Sequence, residues 1–229
     1  MVSSRPYIIL SAAISLDGKI ATRTGNYNLS SRKDKNRIHK LRSKVDGILV
    51  GRNTIAIDNP ILSLHKIKGK NPTRIVLDSR GNLASNSKIL KTCSKIPTIV
   101  TVSKKCTKKN LSRLRKFPID VVICGEDSIN IRSLMRILKK KKIKKILLEG
   151  GGITNWSFIK QNLIDEAIIT VTPFLVGGKD SRSLVEGYGF SKIENAMKLK
   201  LRKISRMKNE IVLFAAVRSG WLLRRADTR

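Results

Sequence analysis

The chain has 229 residues, of which 41% are hydrophobic and only 4% aromatic, and its formal net charge at pH 7 is +32. This length supports one α/β domain, or at most two small ones, with a substantial buried core. The three cysteines include no pair at two-residue spacing, which argues against a disulfide framework and against a zinc site. We therefore expect no metal and a reducing, cytoplasmic compartment.

The strong positive charge raises the question of nucleic-acid binding, because lysine and arginine gain affinity by neutralising phosphates. Lysines, however, occupy nearly every polar position instead of gathering on one element, and few aromatic residues lie between them. The densest tract, residues 139–145, follows a helical apolar pattern and is interpreted as a solvated helix end that favours the helix dipole. Specific nucleic-acid binding is therefore kept only as an alternative from a different class of function.

The hydrophobic patterns predict alternating strands and helices along the chain. The N-terminal part is predicted to contain a strand at 7–14, a helix at 31–45 capped by Ser30 or Ser31, a strand at 47–50 and a short helix that ends before Asp58. The middle part is predicted to contain strands at 73–77, 97–102, 119–123 and 144–148, with helices at 109–116 and 129–140. The C-terminal part is predicted to contain a helix near 152–161, a strand at 165–171 and two long stretches at 195–206 and 210–217.

This alternation predicts an α/β fold with a mostly parallel central sheet flanked by helices. Lys208-Asn209 separates the last two stretches and is a hairpin signal, so an antiparallel C-terminal edge is expected. The first apolar run, residues 7–16, is too short and too soon followed by charge for a signal peptide or a membrane span. We expect one domain over residues 1–217, with residues 218–229 as an appendage outside the core.

Three successive glycines separate a predicted strand from a predicted helix in LLEGGGITNWSFI, residues 147–159. Such a turn leaves backbone N–H groups at the positive end of the helix, with no Cβ to keep an anion away. The spacing matches neither the dinucleotide fingerprint nor a P-loop. A phosphate site and a plain tight turn therefore remain as alternatives.

Two carboxylates lie at the ends of apolar elements in this acid-poor chain. Glu149 ends a predicted buried strand, where an unpaired carboxylate would cost free energy. Asp58 follows an apolar helix turn, and Thr54 lies one helical turn earlier on the same side. For Asp58, a role in the site and simple capping of the helix end are both open.

Several linked stretches resemble a known family in their order and spacing. They are SLDGKIA (15–21), HKLRSKVDGILVGRNTIAIDNPIL (39–62), NPTRIVLDS (71–79), ILLEGGGITNW (146–156), LIDEAIITVTPFLVGGK (163–179) and IVLFAAV (211–217). Together they resemble the reductases of riboflavin biosynthesis, and most closely the stand-alone archaeal form. The resemblance covers nearly the whole chain.

The resemblance implies a dihydrofolate-reductase-like fold, a homodimer, and NADPH as the cofactor with NADH as the alternative. It implies reduction of the ribosylamino group of 2,5-diamino-6-ribosylamino-4(3H)-pyrimidinone 5′-phosphate to the ribitylamino form, with hydride passing to C1′ of an open-chain imine. Such chemistry depends mainly on positioning the reacting carbons and keeping water away.

The site residues are implied by the positions of this chain that match the motifs of the family. Those on the cofactor side are Ala13, Thr54, Asp58, Ser79, Gly151, Gly152, Ile153 and Thr154. Those on the substrate side are Arg42, Leu62, His65 and Glu149. Asp58 as a proton relay and Glu149 as a substrate contact are the two catalytic hypotheses. Bacterial relatives tend to place a lysine at Ser11 and an arginine at His65; both departures fit the archaeal branch and leave the exact phosphate contacts open.

A deaminase sequence pattern that the chain lacks bears on which substrate it reduces. Bacterial enzymes fuse this reductase to a zinc deaminase, whose His-x-Glu and Pro-Cys-x-x-Cys pattern does not occur in the chain. This favours the diaminopyrimidinone over 5-amino-6-(5-phosphoribosylamino)uracil, which stays as the alternative substrate. A dihydrofolate reductase would share the fold, but the Glu-Gly-Gly-Gly and Asp-Asn-Pro stretches fit a phosphorylated substrate better.

Overall fold

A computed structural model describes residues 4–65, 67 and 69–217 of the chain. The strands are β1 (Tyr7–Ile14), β2 (Lys19–Ala21), β3 (Gly47–Gly51), β4 (Thr73–Leu77), β5 (Thr98–Val102), β6 (Asp120–Ile123), β7 (Lys145–Leu148), β8 (Glu166–Val171), β9 (Arg182–Ser183), β10 (Leu199–Met207) and β11 (Glu210–Val217). The helices are α1 (Arg32–Arg42), α2 (Arg52–Asp58), α3 (Lys88–Lys91), α4 (Lys108–Leu114), α5 (Ile131–Lys140) and α6 (Gly152–Ile159). A short 3-10 turn spans Ile193–Asn195.

The predicted strands and helices are all present, with ends that differ by a few residues. The largest difference is in β10, which begins at Leu199 instead of residue 195. Helix α1 ends at Arg42 instead of residue 45, because the chain tightens into a turn in which Lys44 N–H bonds Leu41 O. The N-cap prediction is confirmed for Ser31, whose hydroxyl accepts from the N–H of Asp34 at 3.3 Å. The short elements β2, α3 and β9 were not predicted, since two to four residues show no hydrophobic period.

Contacts divide the described residues into two compact units, and the first contains residues 4–7, 35–65, 67 and 69–150. Its strands lie in the order β7-β3-β4-β5-β6, and every neighbouring pair is parallel. Fully buried aliphatic side chains cover the sheet, among them Ile48, Val76 and Val100 on the strands and Leu114 on α4. This is the parallel, helix-covered sheet that the alternating pattern predicts.

The strand order of the first unit reverses at β3. From β3 the chain adds β4, β5 and β6 in one direction, and β7 then returns to the opposite side of β3. In open α/β sheets such a switch point leaves a crevice at the carboxyl ends of the two strands, where ligands bind. Here Leu49 of β3 is in register with Leu148 of β7, so Glu149 leaves the sheet beside the end of β3.

The second unit contains residues 8–34 and 151–217. Its strands lie in the order β10-β11-β8-β1, with β1 and β8 parallel, and with β8, β11 and β10 successively antiparallel. The predicted antiparallel C-terminal edge is therefore confirmed. Its hairpin turns at Lys208, which has a left-handed φ of 54°, and a separate short pair joins β2 and β9.

The basic tract after α5 is confirmed as a solvated helix end. Ile131, Leu134, Met135 and Leu138 are buried, whereas residues 140–142 are exposed. Across the part of the chain that the structure describes, no helix has the length and apolar character to cross a membrane. The single domain over residues 1–217 stays a prediction, and the predicted appendage at 218–229 lies outside the described residues.

Candidate active site

A two-pronged ion pair joins the end of α1 to the end of β7 in the first unit. Arg42 donates from Nε to Glu149 Oε1 at 2.8 Å and from Nη2 to Oε2 at 2.7 Å. The two side chains are only 14% and 13% exposed, so water screens the pair weakly. Burial lowers the pKa of Arg42, but the charge of Glu149 and its hydrogen bonds outweigh burial, and the net effect is a raised pKa. Two predicted substrate residues are thus each other's partners.

The loop of residues 59–65 follows α2 and carries two further predicted substrate residues, Leu62 and His65. Leu62 is buried and has a left-handed φ of 54°, a conformation that non-glycine residues adopt only when their surroundings hold them in it. Several hydrogen bonds to residues outside the loop hold it in place. They include Lys88 N to Asn59 Oδ1 (2.8 Å), Arg74 Nη1 to Ile61 O (3.0 Å), Arg42 Nη1 to Ser63 O (3.2 Å) and Leu64 N to Asn71 Oδ1 (2.8 Å).

The loop brings His65 to a second histidine, His39, which lies one helical turn before Arg42 on α1. The two ring centroids are 5.8 Å apart and the rings are tilted by 48°. Burial lowers the pKa of His39, and the positive charges of Arg42 and His65 lower it further against the smaller opposing effects of Ser63 O and Glu149. Arg42, His65 and Glu149 therefore form one cluster, which we call the Arg42 cluster and which also includes His39.

Thr54 and Asp58, predicted on the cofactor side, lie one helical turn apart on α2. Both are partly buried, and Ile55 between them is buried in the core. Asn59 ends the helix in a left-handed conformation, with its N–H donated to Ile55 O at 3.0 Å. Asp58 thus directly precedes the loop that carries Leu62 and His65.

Ser79, the next predicted cofactor residue, begins a loop at the carboxyl end of β4. Asp78 is buried and its Oδ2 accepts from Leu83 N at 2.6 Å. Burial raises the pKa of Asp78 above its ordinary value. Hydrogen bonds from the N–H groups of residues 82 and 83, and the charges of Arg52 and Arg113, reduce this rise but do not cancel it. Arg113 closes the loop from the other side by donating to Leu83 O at 2.7 Å and to Gly81 O. The loop is rigidly held, as a preformed binding segment requires.

The other predicted cofactor residues lie in the second unit. Ala13 is on β1, in register with Thr170 of β8. Gly151 is the N-cap of α6 in an extended conformation, and among the described residues no side chain caps this helix. Thr154 is partly buried and Ile153 is exposed. The first N–H groups of α6 therefore have no side-chain acceptor, which fits the diphosphate of a nicotinamide cofactor.

Close packing also requires a glycine at position 152. A Cβ at this position would lie 2.5 Å from Ser183 O and 2.5 Å from Glu186 Cγ, too close for any side chain. Glu186 N also donates to Gly152 O at 3.1 Å. The glycine thus allows residues 183–186 to pack on the start of α6, a contact that the sequence pattern did not predict.

Several polar residues that hold the site region were not predicted. His39 could have been noticed from its spacing of three residues before Arg42, whereas Arg74 and Asp78 lie within apolar strand patterns that carry no signal of their partners. Among the described residues, no group of three or more histidine, cysteine, aspartate or glutamate side chains could hold a metal ion. The three cysteines are free thiols.

Comparison with solved structures defines the class of protein. The chain is similar to a diaminohydroxyphosphoribosylaminopyrimidine deaminase/5-amino-6-(5-phosphoribosylamino)uracil reductase from Thermotoga maritima, with a TM-score of 0.76 and 23% identity, covering 93% of this chain and 57% of that one. It is also similar to the dihydrofolate reductase of Enterococcus faecalis, with a TM-score of 0.54 and 10% identity, covering 93% and 97%. These likenesses show the fold, and they confirm the predicted dihydrofolate-reductase-like α/β class. The chain spans little more than half of the bifunctional Thermotoga chain.

Sequence comparison identifies the family. The chain belongs to the RibD C-terminal domain family, whose pattern matches residues 6–213. A curated relative is the 2,5-diamino-6-ribosylamino-4(3H)-pyrimidinone 5′-phosphate reductase of Methanothermobacter thermautotrophicus, which is 35% identical over 212 residues, 91% of this chain and 97% of the relative. The resemblance drawn from the motifs is therefore confirmed.

Proposed function

We propose that the protein reduces 2,5-diamino-6-ribosylamino-4(3H)-pyrimidinone 5′-phosphate to its ribitylamino form in riboflavin biosynthesis. The observation that carries the proposal is the match over 97% of the length of the Methanothermobacter reductase, a relative named for this reaction. The Arg42 cluster supports it, because arginine and imidazole groups suit a phosphorylated substrate. The deaminated uracil compound remains the alternative substrate.

We propose NADPH as the cofactor, which supplies the hydride from its nicotinamide ring when bound. The residues fit such a cofactor, since the start of α6 offers uncapped N–H groups and Arg80 is exposed beside Ser79 at the end of β4. Gly151, Gly152, Ile153 and Thr154 would hold the diphosphate, and Ser79 and Arg80 the adenosine phosphate. Ala13, Thr54 and Asp58 complete the proposed cofactor contacts.

The chain's own residues supply positioning and charge. Glu149 accepts two hydrogen bonds from Arg42, which fix its orientation, and it would stabilise the positive charge of a protonated imine. Asp58 is the proposed proton relay: it would supply the proton that makes the imine nitrogen cationic, so that hydride added at C1′ would leave a neutral amine. The Arg42 cluster and Leu62 would orient the ribose phosphate. Such positioning accounts for most of the expected acceleration.

We propose that the protein is a homodimer, as the family resemblance implies, and light scattering of the purified full chain would measure its mass directly. We also propose a cytoplasmic location, which the cysteine usage favours. Nucleic-acid binding, the alternative from a different class, rests on net charge alone. It would require sequence-selective or structure-selective binding that persists at physiological salt.

The test is reduced-nicotinamide oxidation by the purified full chain with the diaminopyrimidinone ribosylamine phosphate and its deaminated counterpart in parallel. We expect a higher kcat/KM for the first substrate and a higher rate with NADPH than with NADH. Preference for the uracil compound would move the assignment to the alternative substrate. Absence of oxidation with either compound, in protein shown to be folded, would contradict the proposed reaction.

A further inference from the structure

His39 has an unexplained polar atom beside the proposed substrate site. Its Nδ1 is buried and has no hydrogen-bond partner among the described residues. A buried polar atom without a partner costs free energy, so such atoms are rare in folded proteins and call for an explanation. The imidazole lies on α1, one helical turn before Arg42, and its ring faces that of His65 at 5.8 Å.

The charged groups around His39 come from three elements. Arg42 lies on the same helix, His65 on the loop of residues 59–65, and Glu149 at the end of β7. Glu149 is already engaged through both oxygens by Arg42, and the third donor of Arg42 is used by Ser63 O. Glu149 therefore balances the charge of Arg42, and the two imidazoles remain without an anion of their own. The His39 ring also bonds the backbone carbonyl of Ser63, so the nitrogen of His39 that is left without a partner is Nδ1.

We propose that His39 and His65 form a histidine pair that binds the phosphate group of the substrate, with His39 protonated in the complex. The inference rests on the proposed function for the identity of the ligand, and it assigns a role to a residue outside the predicted site. A protonated imidazole donates from both nitrogens, so a phosphate oxygen would give the pair the acceptor that it lacks. Arg42 then acts mainly as the positioning partner of Glu149 and of Ser63.

Binding of a phosphate would be coupled to uptake of a proton. Without ligand, burial and the charges of Arg42 and His65 lower the pKa of His39, so its neutral form is favoured. A phosphate dianion beside the ring opposes those charges and raises the pKa. Because the bound state holds more protons than the free state, affinity for phosphate should increase as the pH falls toward the ordinary imidazole value of 6.5.

The chain offers a direct measurement, because it contains only two histidines. NMR of the full chain with labelled imidazoles should give two titration curves, assigned by His39→Gln and His65→Gln. The probe is ribose 5-phosphate, and the controls are ribose and sodium chloride at matched ionic strength. The salt control is needed because anions screening a charge of +32 would raise any histidine pKa.

We expect saturable upward movement of the His39 pKa with ribose 5-phosphate, well beyond that produced by matched salt, and no effect of ribose. Lys40→Gln, which removes an exposed charge next to His39 on α1, should leave this response unchanged. A His39 titration that responds to ribose 5-phosphate no more than to salt would overturn the proposal. This measurement uses folded wild-type protein and no turnover.

A kinetic measurement separates phosphate binding from a structural role. We expect His39→Gln to raise KM for the phosphorylated substrate about tenfold with kcat nearly unchanged, the size of a lost charged hydrogen bond. KM for the dephosphorylated substrate should not change. Equal losses with both substrates would overturn the phosphate role while leaving the proposed reaction intact. Absence of turnover in wild-type protein that still shows the NMR response would instead contradict the proposed reaction.

Discussion

At the scale of single residues, buried or converging polar groups hold the loops of this protein. Asp17, in the turn after β1, accepts from Ser15 Oγ at 2.6 Å, from Val176 N at 3.0 Å and from Gly177 N at 2.7 Å. These hydrogen bonds hold the pKa of Asp17 well below its ordinary value of 3.8. The bond from the Ser15 hydroxyl has the largest effect, and the two N–H groups add to it. One carboxylate thus ties the turn after β1 to the loop after β8.

The first prediction concerns this carboxylate. Since the folded pKa of Asp17 lies below the unfolded value, its contribution to stability is present above about pH 3.8 and is lost as the pH falls through the folded pKa. We expect Asp17→Asn to lower Tm at neutral pH and the difference from wild type to shrink below about pH 3.8. Thermal unfolding followed by circular dichroism across this range measures it.

The matched control is Asp180→Asn, an exposed aspartate of the same loop region. It should leave the pH dependence of Tm unchanged. A Tm difference for Asp17→Asn that stays constant from neutral to acidic pH would show that the carboxylate's charge does not stabilise the turn.

At the scale of elements, a buried arginine joins β4 to its neighbours in the first unit. Arg74 is fully buried, and its guanidinium donates to Thr98 Oγ1, Thr92 Oγ1 and the carbonyls of Ile61, Ile89 and Ile96. Burial lowers its pKa to about 10, so the group is still charged at neutral pH. The contact to Ile61 links the core of the sheet to the loop that carries Leu62 and His65.

The prediction at this scale is a loss of stability of about 3 kcal/mol for Arg74→Met, because several buried carbonyls lose their donor. Arg74→Lys should lose less, since it keeps the charge but lacks the planar fork that reaches several acceptors. Urea denaturation at neutral pH measures both. Arg115→Met, an exposed position after α4, is the control and should change stability by less than about 0.5 kcal/mol. An Arg74→Met protein as stable as this control would rule out the network as a major support of the unit.

At the scale of the whole molecule, the dominant property is charge. The described ion pairs are few, and three of them, Lys104–Glu126, Lys105–Asp127 and Lys141–Asp120, are exposed and weakly stabilising. With a net charge of +32, repulsion between the remaining basic groups opposes the compact state.

Tm should therefore rise when sodium chloride is added from low ionic strength to about 0.15 M, where charges are screened beyond roughly 8 Å. The measurement is a thermal melt across this range, with an uncharged osmolyte at matched osmolality as the control. A Tm that falls with salt would mean that attractive pairs outweigh the repulsion. Binding of the protein to arbitrary DNA should weaken steeply over the same range, as expected for attraction by charge alone.

The sequence by itself determined the properties that depend on local order. The apolar periods of β1, β3 and α5, a helix cap at Ser30 or Ser31 and the hairpin near Lys208 each need only neighbouring residues, and the linked motifs carried the family resemblance. The elements that it did not predict, such as β2, α3 and β9, are too short to show a period and form because of their neighbours in the fold.

The tertiary structure alone decided which side chains meet. Arg42 and Glu149 are 107 positions apart and both suited a substrate contact, yet the fold pairs them with each other. The reason is topological, because β7 returns to the far side of β3 and its end then lies within reach of α1. Contacts between other segments that are separated in sequence place His39 against His65 and surround Arg74 with the carbonyls of Ile61, Ile89 and Ile96. Partner choice across such distances depends on packing, which periodicity and composition do not encode.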